Sequence, residues 1–353
     1  MRVLVLAKSS SFHTERFVAE LRRQGCYVLV ASLERGGLLH FHLKRRGPHR
    51  LFHYIFAAPQ IRALVKRFHP DIVNPHYAAA YGFAAALAKI NSRVPIVLNL
   101  WGGDVLIAPN KSWLHRIKPV LALKAADCVI GDSGYIIEEA AKLTRLQSSR
   151  VIPWGIESKF LSYHKGCYEF NRPIKVIVPR RQEPLYNNEF ILETLMPFLQ
   201  NRAIVLTFPR FGRYADTFVN RAKHLAGDLV QFYEAMSRDK FLQFASEHDI
   251  YLSAAATDSS PASLIEAMGL GLLPVAADIA GISEWMTAET GYLFQLNDPE
   301  SLRSVFNTLL RERNPHEGIR RRNLERVKQE AIFEDNIAEQ IALMRRLVEN
   351  RRS

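Results

Sequence analysis

Short runs rich in Val, Ile and Leu, each followed by a longer amphipathic stretch, recur along this chain in two successive series. The first series comprises residues 3–7 (VLVLA), 27–32, 71–74, 95–100 and 128–133, with helical patterns between them at 15–24, 59–68 and 114–126. The second begins at 174–179 (IKVIVP) and continues through 203–208, 228–233, 249–254, 272–277 and 291–294. Continuous apolar strands separated by stretches of helical period are the pattern of βαβ units around a parallel sheet buried on both faces. The chain therefore reads as α/β, with two Rossmann-like, doubly wound parallel-sheet domains in tandem.

A length of 353 residues suits two cores of ordinary size. The first domain is placed at 1–153 and the second at 172–334. The stretch 154–171, with Pro and Gly near both ends and no clean period, reads as the connection between them. A charged helical pattern closes the chain, and its last helix, about 335–353, is expected to pack back on the first domain. Ligands of such folds bind at the carboxyl ends of the strands, so two domains facing each other would place the site in the cleft between them.

With 48% hydrophobic and 23% charged residues the composition is that of a globular protein. The longest nearly apolar stretch, 78–88, falls well short of the roughly 20 residues that cross a bilayer, and the N-terminal run lacks the pattern of a secretory signal. Cys26, Cys128 and Cys167 fit no metal or redox spacing and suit a reducing cytoplasm. Residues 1–155 hold 22 Lys and Arg against 9 Asp and Glu, or +13; the remaining 25 against 26 give −1. The excess charge of the first half points to an anionic membrane surface or an anionic acceptor, or else to a solvated basic face. No helix-turn-helix, zinc-finger or RNA-binding motif accompanies it, so nucleic acid is not expected as a partner.

The most specific segment is 257–286, TDSSPASLIEAMGLGLLPVAADIAGISEWM. Ser259, Ser260 and Pro261 are good residues for a helix start, and Gly269 or Gly271 can end that helix. A helix N-terminus with free N–H groups suits a diphosphate. Asp258 precedes the helix and Glu266 follows eight residues later, roughly two turns on, so that two carboxylates can reach different parts of one extended ligand.

In this segment the chain resembles the family-4 retaining glycosyltransferases (glycosyl transferases group 1), which have the GT-B fold. The resemblance rests on Asp258, the Glu266-Ala267-Met268 triplet, Gly271, Pro274-Val275, Gly281, Glu284 and 291–294 (GYLF). It extends over 70–77 (PDIVNPHY), 102–109, 123–133, 151–160 and 178–189. It implies that Glu266 binds the ribose of a nucleotide-sugar donor and that Asp258 contacts hydroxyls of the transferred sugar. Backbone amides of Ala262 and Ser263, beside Ser260, would hold the diphosphate. Arg180, or its neighbour Arg181, would neutralise the charge that grows on the leaving phosphate. The loop at 232–237 is a looser candidate for the base pocket. A UDP-sugar is the implied donor, in preference to a GDP-sugar.

Three departures stand out. The first acidic position is Asp rather than Glu; Tyr186-Asn187 occupy the place of a Lys usual after the phosphate-binding Arg; and Trp101 replaces a His before the Gly-x-Asp motif. No Asp-x-Asp occurs, so a metal bridging the diphosphate lacks its usual ligands and no cofactor is expected. The resemblance further implies a front-face mechanism in which the donor phosphate accepts the acceptor's proton.

In the first domain His13 follows the first strand, and Trp101, Gly103 and Asp104 form a turn after another, which makes them candidates for acceptor binding. Helix capping and turn formation are the competing roles. His40, His42, His49 and His53 are spaced too irregularly for a metal cluster and read as part of a flexible basic loop with Lys44, Arg45 and Arg46. Together these features predict a cytoplasmic enzyme, peripheral on the inner face of the cell membrane, acting on a lipid-linked or other glycan acceptor of cell-surface polysaccharide or glycolipid biosynthesis. Leu38, Leu39 and Phe41 beside the basic run are the expected apolar anchor. The rivals are a nucleotide-sugar epimerase, a phosphorylase, and a catalytically silent nucleotide-sugar-binding membrane scaffold.

Overall fold

The structure, a computed structural model, describes residues 1–37, 40–88, 94–166, 170, 172–259, 261–311 and 316–352. The chain divides into two compact units, Met1–Pro153 with Glu334–Ser353, and Trp154–Phe333.

In the first unit β1 (Arg2–Leu6) lies between β2 (Tyr27–Ser32) and β4 (Ile72–Pro75), with β3 (Phe41–His42) beyond β2, all parallel. A second parallel group holds β5 (Val97–Asn99), β6 (Cys128–Gly131) and β7 (Ser149–Val151). Parallel bridges Val73↔Ile96 and His76↔Asn99 join β4 to β5, giving the order 3-2-1-4-5-6-7. Val3, Leu4, Val5 and Leu6 are completely buried, as a central strand covered on both faces requires. The Phe12–Arg23 helix carries Glu15 in its first turn and Arg22 and Arg23 in its last, each matching the helix dipole. The terminal Phe333–Arg352 helix is tied here by Gln340 Nε2 to Asn99 Oδ1 (3.0 Å) and by Asn336 Nδ2 to the Pro153 carbonyl (2.8 Å).

The second unit is built on a parallel sheet ordered β10-β9-β8-β11-β12-β13. Its strands are β8 (Ile174–Ile177), β9 (Ile204–Pro209), β10 (Val230–Tyr233), β11 (Ile250–Ser253), β12 (Leu273–Ala277) and β13 (Tyr292–Phe294). Counted within the unit this is again 3-2-1-4-5-6, the order in which the direction of strand addition reverses between the first and fourth strands, all of them parallel. That switch point lies beside β8 and β11.

Where structure and sequence pattern differ, the causes are local. The stretch 154–171 is packed into the second unit for much of its length rather than hanging as a connection: Ile156 and Phe160 are buried, and Ile156 bridges Ile332. At Gly155, φ is +66° and a Cβ would sit 2.2 Å from the Ala331 carbonyl oxygen, so a residue with a side chain cannot make that approach. The first long helix spans Arg50–Phe68 instead of starting at Pro59, because the apolar residues before Pro59 carry no helical period. Within the expected basic loop, Phe41–His42 pairs with β2, and His40 accepts the Val30 N–H at 3.1 Å.

Candidate functional site

Arg180 lies three residues beyond β8 and Asp258 five beyond β11, so the switch point of the second sheet brings them together. Arg180 Nη2 donates to Asp258 Oδ2 at 2.7 Å and to the Tyr251 hydroxyl at 3.1 Å, while Nε reaches Ser253 Oγ at 3.3 Å. None of these bonds uses Nη1. Tyr251 is linked in turn to Ser263 Oγ at 3.1 Å. Burial acts to lower the Arg180 pKa, but Tyr251 and Asp258 together hold it above its ordinary value, so the guanidinium remains a fixed cation. The Tyr186 ring stands 5.5 Å from it, in the place where the sequence lacks the expected Lys. Arg181 is exposed, and among the described residues the ion pair to Asp258 comes from Arg180.

The Ala262–Leu270 helix starts after Pro261, whose φ is −69°, and ends at Gly271 in the left-handed conformation. Among the described residues no side chain caps its N-terminus, so the first-turn N–H groups of Ala262 and Ser263 have the character of an anion site. Ser260 lies outside the described residues. Asp258 Oδ1 accepts the N–H of Ser259 at 3.0 Å, fixing the carboxylate that faces Arg180. The Asp258 carbonyl lies against Gly281, where a Cβ would fall 1.6 Å from its oxygen; that contact is the physical reason for a glycine there.

Glu266 is buried on the same helix and accepts from Arg238 Nη1 through Oε1 at 2.5 Å. The other edge of that guanidinium donates to Glu157, with Nη2 to Oε2 at 2.6 Å and Nε 3.0 Å from each carboxylate oxygen. The three side chains are between 9% and 14% exposed, which makes this a buried acid-base-acid triad.

In the first unit the candidate residues gather at the ends of β1, β4 and β5. The His13 ring is 5.2 Å from Trp101, and Tyr77 stacks on Trp101 at 5.4 Å with 9° between the planes. Asp104 is buried; its Oδ2 accepts from the Ala78 N–H at 2.6 Å and its Oδ1 from the Trp101 N–H at 3.1 Å. Burial pushes its pKa up to about 6 against the pull of those N–H groups. Its visible role is thus to hold the turn that presents Trp101 and Tyr77. Gly103 is exposed, with open space where a Cβ would stand.

Residues 2–133 match the model of glycosyl transferase 4-like proteins, and residues 196–326 match that of the glycosyl transferases group 1. The chain belongs to the GT-B glycosyltransferases. It is 24% identical over 86% of its length to the sulfoquinovosyl transferase SQD2 of Arabidopsis thaliana, covering 64% of that protein. It is 27% identical over 68% of its length to TuaC of Bacillus subtilis, a protein named for teichuronic acid biosynthesis, covering 61% of it. The chain thus spans less than two thirds of the length of these relatives. Among solved structures, sucrose-phosphate synthase from Thermosynechococcus elongatus superposes with a TM-score of 0.81 at 14% identity, covering 99% of this chain and 100% of the other. The Anabaena HepE protein in complex with UDP superposes with 0.78 at 17% identity, covering 97% and 98%. These likenesses establish the GT-B fold.

The residues of the second unit that the sequence pattern passes over are Arg238 and Glu157. Arg238 lies one residue beyond the loop considered for the base. Its signal is that it opens the Arg238–Ser246 helix, where the dipole disfavours a cation unless carboxylates are placed to meet it. Tyr77 was also passed over; its φ of +66° is unusual for a residue with a bulky side chain.

Proposed function

We propose that this chain moves a sugar from a nucleoside diphosphate sugar, a UDP-sugar in preference to a GDP-sugar, to a glycan or lipid-linked acceptor with retention at the anomeric carbon. The observation that carries the reading is the convergence of Arg180 and Asp258 beside the Ala262–Leu270 helix N-terminus, with Glu266 buried further along that helix. The diphosphate would lie on the Ala262 and Ser263 N–H groups, with Arg180 Nη1 directed to the phosphate adjoining the sugar. Glu266, whose Oε1 is engaged by Arg238, would accept the ribose hydroxyls through Oε2. Asp258 would hold Arg180 and receive a sugar hydroxyl.

In the reaction the bond from the anomeric carbon to the phosphate oxygen breaks, and its electron pair leaves with the nucleoside diphosphate. The acceptor oxygen bonds to the same face of that carbon, and its proton passes to the departing phosphate. Arg180 and the helix N-terminus would stabilise the growing negative charge and so take the part a metal plays elsewhere. Complexes of HepE with UDP and with UDP-glucose support the choice of donor class.

The exposed ring of Tyr77, backed by Trp101 and His13, suits stacking against a sugar of the acceptor. No described helix is long and apolar enough to cross a membrane, and the +13 of residues 1–155 favours peripheral attachment to the cytoplasmic face, as polysaccharide or glycolipid synthesis on a lipid carrier would require. The test is incubation with a panel of UDP- and GDP-sugars and a membrane lipid extract, followed by NMR of the product. Transfer with the donor's anomeric configuration supports the reading; an inverted product, a free epimer or nucleotide binding without turnover contradicts it.

A further inference from the structure

We propose that the outward face of the Trp113–Ala125 helix, together with the first turns of the Arg50–Phe68 helix, is a docking surface for an anionic lipid bilayer. The inference deepens the peripheral-membrane reading above and rests on it, but it moves the apolar anchor. Of the residues the sequence suggested, Leu38 and Leu39 lie outside the described residues, and Phe41 is half-buried in β3.

The Trp113–Ala125 helix is turned the wrong way for a helix that only covers a core. It buries Pro119, Ala122 and Leu123 and leaves Trp113, Leu114, Ile117 and Leu121 exposed, at 69%, 50%, 42% and 38%. These four fall at helical spacing on one stripe, so the exposure is a continuous apolar face rather than scattered residues. Ser112 caps the helix by accepting the His115 N–H, which keeps its first turn in place. On the Arg50–Phe68 helix, Phe52 and Phe56 are also exposed, one turn apart, with ring centroids 6.4 Å from each other. Both helices pack against the Phe83–Leu87 helix, and burial, with the nearby Lys111 and Arg50, lowers the pKa of Lys118.

Charge identifies the occupant. No Asp or Glu occurs between Glu34 and Asp71 or between Asp104 and Asp127, while these stretches hold Arg50, Lys111, Arg116 and Lys118 among other cations. None of those four takes part in an ion pair among the described residues. An apolar stripe with a Trp, framed by unneutralised cations, matches the boundary between acyl chains and anionic headgroups. A second copy of this chain would present the same cations and repel, so self-association is disfavoured on this face.

Flotation with vesicles of phosphatidylcholine alone, and of equal parts phosphatidylcholine and phosphatidylglycerol, tests the assignment. The wild type should float only with the anionic vesicles and less as salt rises. Trp113→Ser, Leu114→Ser and Ile117→Ser together should weaken this by about tenfold or more, as should Lys111→Gln, Arg116→Gln and Lys118→Gln together. Circular dichroism and UDP calorimetry on the same samples should match the wild type. Equal flotation with neutral vesicles, flotation unaffected by either triple change, or no flotation at all overturns the proposal. Concentration-dependent sedimentation abolished by the apolar triple change would likewise overturn it, assigning the face to a protein partner. If UDP binding is retained while flotation fails, only the docking surface falls. If UDP binding is absent, the donor reading falls whatever the vesicles show.

Discussion

Arg238 Nη1 sits 2.5 Å from Glu266 Oε1, and the same guanidinium clasps Glu157 from its other edge. The carboxylate assigned to the ribose is therefore held by a cation that is itself fixed by a second carboxylate. A buried charge with both partners in place can be rigid, but removing one member leaves the others uncompensated.

Arg238→Ala should accordingly destabilise the protein by about 3 kcal/mol or more, since two buried carboxylates lose their shared cation. Urea unfolding measures this. The double variant Arg238→Ala, Glu157→Ala should recover part of the loss, because one of the stranded charges is gone; strict additivity of the two single changes would argue against the triad.

Glu266→Gln keeps the volume of the side chain but loses the charge that a ribose hydroxyl would meet. UDP affinity should fall by roughly 1.5–3 kcal/mol. Calorimetry with folded variant reads the change directly, and an unaltered affinity would remove Glu266 from the donor site.

Legibility differed between the parts of the molecule for physical reasons. The strands on either side of each switch point are buried on both faces, and VLVLA and IKVIVP announce them without help from neighbours. Asp258 and the helix start at Pro261 are readable because helix geometry and anion binding fix residue types at fixed spacings, whereas Arg180 is readable only through the family resemblance of residues 178–189. Arg238 and Glu157 were not: they are 81 residues apart, and only the fold brings them to Glu266. The strand β7 carries Ser149 and Arg150 and has partly exposed residues throughout, so it lacks the apolar run that marks the others. Likewise nothing in the Trp113–Ala125 sequence shows that its larger apolar residues face outward while Pro119 and Ala122 face in.

Acid should weaken the second unit through His248. Burial, aided by the nearby Lys165 and Lys175, pushes its pKa down to about 4, against bonding to the backbone at Phe244 and Ala245. A base held neutral in the fold but free to protonate when unfolded contributes stability above its ordinary pKa near 6.5, and that contribution is lost as pH falls toward 4. His248→Gln, which can still bond Thr207, should flatten the dependence of stability on pH across that window. Denaturation at pH 7, 5.5 and 4.5 checks it; parallel curves for variant and wild type would contradict the assignment. Asp104, pushed up to about 6, acts in the opposite sense because its folded form holds a proton more tightly, but it does so equally in both proteins.

Arg180→Ala should leave donor affinity within about tenfold but reduce the rate of transfer by roughly 100- to 1,000-fold, because its charge matters most when the phosphate departs. Asp258→Asn, which removes the negative charge 2.7 Å from Arg180, should lower the rate in the same way. A change confined to KM in both variants would place these residues in ground-state binding alone.

In the mechanism proposed above, a fixed arginine and a helix N-terminus of the second unit release a nucleoside diphosphate from its sugar. Single-turnover transfer from a UDP-sugar, measured in excess chelator after divalent ions have been stripped, tests it most directly. Wild-type protein should transfer at the same rate with and without chelator, and Arg180→Ala should lose that rate under both conditions. Abolition by chelator with rescue by magnesium or manganese, or an Arg180→Ala protein as fast as the wild type, would contradict it.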